Sequence, residues 1–434
     1  MVRILELLTM KKIAFLFLFN FLLLGISIAQ QDHVIYDESE VPEYQLPDVL
    51  TRFNGSKVKS LKEWIRKRCP EILKVFTNEV YGEVPGIQNI SKVEVWENSD
   101  NAIGGLAIRK QLSLFFNKDD KVLEMNVLMY LPKSKKKAPV FLAYNFSGNH
   151  SVYNDPNIRL TDSWVANDPS VGIINNRVTE QSRATVSTRW PVDEIIKAGY
   201  GLVTVYYGDV DPDKNDFSDG IQTFFYQPNQ IKPRFNEWGS VAAWAWGLSR
   251  VMDYLETDPL VNSKEVAVLG HSLIGKTALW AGANDQRFAM VISNESGCGG
   301  AALSRRRYGE TVRTINRKFP YWFCDNFKKY SDNEDALPVD QHMLLALIAP
   351  RPLYVASAVG DQWSDPRGEF LSAKYATPVY QLYGLEGLLV KEMPEVNHPV
   401  MGTIGYHIRS GKHDLTEYDW QQYLKFADMH FKKN

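Results

Sequence analysis

The chain has 434 residues, 44% of them hydrophobic and 23% charged, with a formal net charge of -2. That length and apolar content suit one large α/β domain or two ordinary ones, and they exclude a disordered or fibrous chain. A balance so close to neutral argues against a polyanion partner, so no nucleic-acid binding is expected.

Met10-Lys-Lys12 precedes an apolar run over residues 13–28 interrupted by Asn20, with small residues at Ser27 and Ala29 before Gln30-Gln31. This is the order of a secretory signal: charged, apolar, cleavable. Residues 1–29 are therefore expected to leave, with Met10 as a plausible true start. Residues 30–434 would then form a single catalytic domain in the periplasm or outside the cell. The run is short for a membrane span and no second one follows, so no membrane attachment is expected after cleavage. Cys69, Cys298 and Cys324 allow at most one bridge. Cys298 with Cys324 is the expected pair, since both follow the strand that ends near Asn294. No C-x-x-C and no His/Cys spacing of metal-ligand type is present, so neither a structural zinc nor another cofactor is expected.

The mature chain opens on a polar, extended arm over residues 30–47. Residues 60–80 carry apolar positions at Leu61, Trp64, Ile65, Ile72, Leu73 and Phe76, a helical pattern that Pro70 should break. Strands follow over residues 92–96, 106–116 and 122–131; the last two alternate apolar and polar and join through Asn117-Lys-Asp-Asp120, an antiparallel lead-in. The basic run Lys133-Ser-Lys-Lys-Lys137 is a solvated turn. Residues 138–145 then form a continuous apolar strand of the buried parallel kind, emptying into Phe146-Ser-Gly-Asn-His150. Residues 154–190 are polar and unperiodic, a long loop of functional or lid type. A helix over 191–198, a strand over 201–207 and a helical stripe through Val241, Trp244, Leu248, Val251 and Leu255 come next.

Val266-Ala-Val-Leu-Gly-His-Ser-Leu-Ile-Gly-Lys-Thr-Ala-Leu-Trp280 reads as a buried strand, a tight turn at Ser272 and a helix. A serine on such a turn has its Oγ raised above the sheet beside a helix N-terminus. Two motifs compete here. Gly270 to Thr277 matches the phosphate-loop pattern G-x-x-x-x-G-K-[ST], while G-x-S-x-G fails only at Ile274. Context rejects the nucleotide site: an exported chain meets little nucleotide, Leu273 and Ile274 are bulky, and the next strand ends in Ser-Asn-Glu rather than in a magnesium-binding Asp.

Strands over residues 288–293, 352–359 and 404–408 and a closing helix over 418–431 complete the alternation. Ser272, Glu295, Asp361 and His413 each fall just past a predicted parallel strand, the rim where open α/β sheets build their sites. Their order, nucleophile, acid, histidine, is that of α/β-hydrolases. His413 would take the Ser272 proton, with Glu295, Asp361 or both steadying its other nitrogen, and the Leu273 amide would face the oxyanion. His398, also in a C-terminal loop, is the alternative base. The expected fold class is thus α/β, an α/β-hydrolase three-layer sandwich with a mostly parallel central sheet and antiparallel N-terminal strands.

These residues resemble the bacterial glucuronoyl esterases, carbohydrate esterase family 15, whose serine motif is G-[CH]-S-R-x-G-K. The likeness runs through Gly270-His-Ser-Leu-Ile-Gly-Lys276, Asn294-Glu-Ser-Gly-Cys298, Tyr308-Gly-Glu-Thr-Val312, Gly360-Asp-Gln-Trp-Ser-Asp365 and Tyr406-His-Ile-Arg-Ser-Gly-Lys-His-Asp414. It implies Ser272 as nucleophile, His413 as base, Glu295 as the usual acid and Asp361 as a second or shared one. It also implies that Lys276, Glu310 and Trp363 hold the glucuronate ring. One position departs: the family Arg after the serine is Leu273 here, which implies a slowed or retuned esterase. The implied substrate is a glucuronoxylan or lignin-carbohydrate ester, cleaved by a monomer without metal or cofactor. An acetyl or feruloyl esterase acting on plant polysaccharide, or a non-catalytic glycan-binding relic of the same fold, are the alternatives.

Overall fold

The computed structural model describes residues 34–432, and the signal-like run over residues 1–29 lies outside them. Ten strands form one sheet in the order β1-β2-β3-β7-β4-β8-β9-β10-β12-β11. β1 (Lys92–Ala102), β2 (Ala107–Lys118) and β3 (Lys121–Pro132) pair antiparallel, as their alternation predicts. β4 (Ala138–Asn145), β7 (Gly201–Tyr206), β8 (Val261–His271), β9 (Met290–Asn294), β10 (Leu353–Ala358) and β12 (Ile404–Arg409) run parallel to one another. β11 (Val400–Met401) closes the far edge antiparallel, and β5 (Ile173–Ile174) with β6 (Arg177–Val178) makes a separate two-stranded ladder.

The parallel strands are apolar on both sides because both sides are covered. Along β8, Val266 and Val268 pack with the Ser240–Leu255, Leu273–Asn284 and Pro366–Leu382 helices, while Ala267 and Leu269 face the Val192–Lys197 and Glu417–Phe431 helices. Two cores on opposite faces of one sheet make the expected three-layer sandwich.

Two expectations change. Pro70 does not break its helix: Leu61–Glu63 and Cys69–Phe76 are α-helical and Trp64–Arg68 and Thr77–Tyr81 are π-helical, so the backbone runs on. The widened turn just upstream accommodates the missing amide and the ring. The loop over residues 154–190 is strapped to β2 at its start. The Gln111 amide donates to Asn157 O, Gln111 Oε1 accepts from the Arg159 amide at 3.0 Å, and Arg109 pairs with Asp155. Finally, Cys298 and Cys324 are not bridged; all three cysteines are free thiols. Cys298 turns into the core beside β9, and Cys324 Sγ lies 3.8 Å from Asn78 O.

Candidate active site

Ser272 has φ 57° and ψ -129°, a strained backbone that only a tightly held turn sustains. Two neighbours hold it. The Ser272 amide donates to Asn294 O at 2.8 Å, and Gly270 admits the turn because a side chain there would strike Ile274 O. With its own amide spent, Ser272 caps the Leu273–Asn284 helix. The Leu273 amide is then the first of that helix and has no acceptor within it, which leaves it free for an oxyanion.

Ser272 Oγ lies 2.9 Å from His413 Nε2. On the other side of the ring, Nδ1 lies 2.6 Å from Asp361 Oδ2 and 3.2 Å from Glu295 Oε2. All four residues named at the strand ends therefore meet, and His398, 71% exposed and bonded to Val396 O, does not. The His413 side chain is 39% exposed while both acids are nearly sealed, so the imidazole opens to solvent only on its substrate side. Burial alone would lower the His413 pKa, but its hydrogen bonds to Asp361 and Glu295 outweigh that and bring it up to about 9. The two acids differ. Burial pushes Glu295 up to about 7 against the pull of His413 and Arg409, whereas Asp361, also opposed by burial, is held below its ordinary range by His413.

Several residues in this network were not given a role from sequence. Arg409, at the end of β12, donates to Glu295 Oε1 at 2.6 Å, to Asp419 at 2.9 Å and to the carbonyls of Ser410 and Lys412, fixing the turn that carries His413. The Asp414 amide donates to Glu295 Oε2 at 3.0 Å. Glu369, pushed up to about 8 by burial, accepts from the Gly297 amide and from Ser357 Oγ, tying the β9 loop to β10. His271, with its pKa lowered to about 3 by burial and by His413, is neutral; its ring lies 4.6 Å from that of His413. Arg409 stands four residues before His413, and that spacing was the one available signal.

His271, Glu295 and His413 offer ligand atoms within 4.8 Å of one another, a donor set of metal-binding kind. Here Nδ1 of His413 faces the carboxylates and Nε2 faces Ser272, so neither nitrogen is turned toward an ion. Lys276 Nζ is sealed in place by Ser296 O at 2.6 Å and Cys298 O at 2.8 Å and lies 3.4 Å from Glu310 Oε2. The Glu310 amide in turn donates to Trp363 O at 2.9 Å, so the three residues assigned to the sugar ring form one unit beside the serine helix. Lys318 Nζ lies 4.3 Å from the Trp363 ring centroid. Leu273 packs into the core.

A sequence profile for the glucuronyl esterases of fungi matches residues 176–384. Over 396 residues the chain is 51% identical to carbohydrate esterase MZ0003 from an unknown prokaryotic organism, covering 91% of each. A promiscuous CE15 esterase from a marine bacterial metagenome, also 51% identical, superposes with a TM-score of 0.86 over 92% of this chain and 100% of its own. A glucuronoyl esterase from Solibacter usitatus, 48% identical, gives 0.86 over 91% and 100%.

Proposed function

Since the chain belongs to the glucuronoyl esterases of carbohydrate esterase family 15, we propose that it is a serine esterase cleaving esters of 4-O-methyl-glucuronic acid carried on xylan. The bonds concerned join glucuronoxylan to lignin-type alcohols. The observation that carries this is the 2.9 Å contact between Ser272 Oγ and His413 Nε2, with carboxylates on the far nitrogen.

In this scheme His413 Nε2 takes the Ser272 proton as Oγ attacks the glucuronate ester carbonyl. The imidazolium is steadied by Asp361 and Glu295, and the tetrahedral oxyanion faces the Leu273 amide at the helix N-terminus. His413 then returns its proton to the departing alcohol, and water, deprotonated by the same nitrogen, releases the sugar acid from the acyl-enzyme. No cofactor is called on. Lys276, Glu310 and Trp363 would hold the ring, Lys276 as donor and Glu310 as acceptor for hydroxyl groups. Without an Arg at 273 one charged oxyanion donor is missing, which retunes or slows the enzyme toward its ester. We further propose that residues 1–29 export the chain and that residues 30–434 act as one catalytic domain, as a monomer, in the periplasm or outside the cell. Among the described residues no helix is long and apolar enough to cross a membrane.

Purified protein is expected to hydrolyse benzyl glucuronate, and Ser272→Ala to abolish this. Release of acetate from acetylated xylan, with benzyl glucuronate untouched, would move the assignment to an acetyl esterase. Glycan binding with turnover of neither ester would remove catalysis altogether.

A further inference from the structure

A row of aromatic rings runs from the active site beneath the rim, with His271, Tyr207 and Tyr206 buried. From His413 the ring centroids step to His271 at 4.6 Å, Phe146 at 6.5 Å, Tyr207 at 5.5 Å and Tyr206 at 5.3 Å. Tyr206 OH donates to Trp164 O at 2.8 Å, and Trp164 lines a cavity of about 520 Å³ beyond the ends of β7 and β3. Between β8, which carries Ser272, and β3 the sheet has β4 and β7, so at the ordinary strand spacing the cavity lies about 15 Å away, a few sugar residues along a chain.

Its lining has a definite chemistry. Arg159 and Arg177 alternate with Asp162, Asp209 and Asp219 around the half-buried indole of Trp164. Such a mixture gives neither a polyanion nor a polycation a net attraction, but it offers acceptors and donors to a neutral polyol, and the indole, with Lys214 Nζ 5.8 Å from its ring centroid, offers an apolar surface to a pyranose ring. The Arg159 side chain is 42% exposed; its contacts to Glu124 and Asp162 at 3.4 Å and to Asn126 Oδ1 at 3.5 Å are long, and it stands 5.4 Å from the Trp96 ring centroid, so a ligand hydroxyl can compete for its donors. Asp209 is fixed by the Asn126 amide at 2.9 Å and Ser163 Oγ at 2.6 Å, so the floor is built before any ligand arrives. The volume falls within the range of about 300–1,000 Å³ that holds small ligands.

We propose that this cavity is a distal glycan subsite that takes neutral pyranose units of the polysaccharide whose glucuronate branch reaches Ser272. The proposal rests on the esterase assignment for its choice of sugar and for its kinetic test, but not for its binding test. Two substrates separate the sites: benzyl glucuronate, which cannot span the rim, and the same ester carried on a xylo-oligosaccharide. Trp164→Ala is expected to lower kcat/KM about tenfold on the oligosaccharide ester and less than about twofold on benzyl glucuronate, with Arg159→Ala acting in the same direction. Calorimetric titration of unesterified xylohexaose reads the cavity without turnover: binding is expected in wild type and weakened in both variants. Equal losses on the two esters, or xylohexaose binding unchanged in both variants or absent in wild type, would overturn the subsite whether or not the esterase assignment stands. A wild type that binds xylohexaose and loses that binding in Trp164→Ala, yet turns over neither ester, keeps the subsite and overturns the esterase.

Discussion

The ends of β9 and β10 do the same thing in different ways. Each presents a carboxylate to Nδ1 of His413, but Asp361 after β10 comes to 2.6 Å, whereas Glu295 after β9 stops at 3.2 Å. Glu295 is also engaged by Arg409 at 2.6 Å and by the Asp414 amide at 3.0 Å, and its backbone sits at φ 48°. A short acid whose charge is directed at one ring orients that ring. A longer acid placed at a node of arginine and main-chain donors holds the loop on which the ring is mounted. The difference teaches that two carboxylates on one imidazole need not be redundant.

Removing what both ends serve gives the largest effect. Ser272→Ala is expected to cut kcat on benzyl glucuronate by about 10⁶-fold, leaving only the binding and oxyanion contribution. Asp361→Asn should come next, with a loss of about 10³- to 10⁴-fold in kcat, because the amide favours the wrong imidazole tautomer. Glu295→Gln keeps the size of the node and should cost about 10- to 100-fold, with hydrogen-exchange protection of residues 410–414 reduced. If the order of these two variants is reversed, the division of labour is reversed with it.

The scaffold of this comparison was legible in the text of the chain. β-branched runs end at Gly270, Asn294, Ala358 and Arg409, and each next turn carries one polar residue out of place for a core. What could not be read was which acid comes closer. That depends on Arg409 and on the Asp414 amide, whose partners are more than a hundred residues away in sequence. The disulfide is absent for a related reason: nearness along the chain says nothing of Cys298 packing into the core. The unbroken helix at Pro70 is not legible because a π turn is a feature of backbone register and leaves little trace in composition.

Titration sharpens the comparison further. His413 must be neutral to accept the serine proton, and its raised pKa of about 9 leaves it largely protonated near pH 7. The rate should therefore climb as pH rises toward about 9. Asp361→Asn removes the stronger of the two raising bonds, so the rising limb of kcat/KM should move to lower pH even as its plateau falls. Glu295→Gln should move it less. A limb unmoved in both variants would mean that neither carboxylate sets the base.

The smallest effect tests the opposite side of the reaction, where β8 rather than β9 or β10 supplies the chemistry. Leu273→Arg places a cation at the first position of a helix, against its dipole, at a site only 4% exposed, so a fall in Tm of a few degrees is expected. An oxyanion donor is worth about 3 kcal/mol when fully aligned, but a guanidinium forced out of the core toward the pocket will deliver only part of that. A rise of about tenfold in kcat on methyl glucuronate esters is the expected result. Because the main-chain amide at 273 survives the substitution, any gain belongs to the side chain alone. No gain, with the loss of Tm still present, would mean that the Leu273 amide already meets the oxyanion's needs, and that Leu273 was kept for the core.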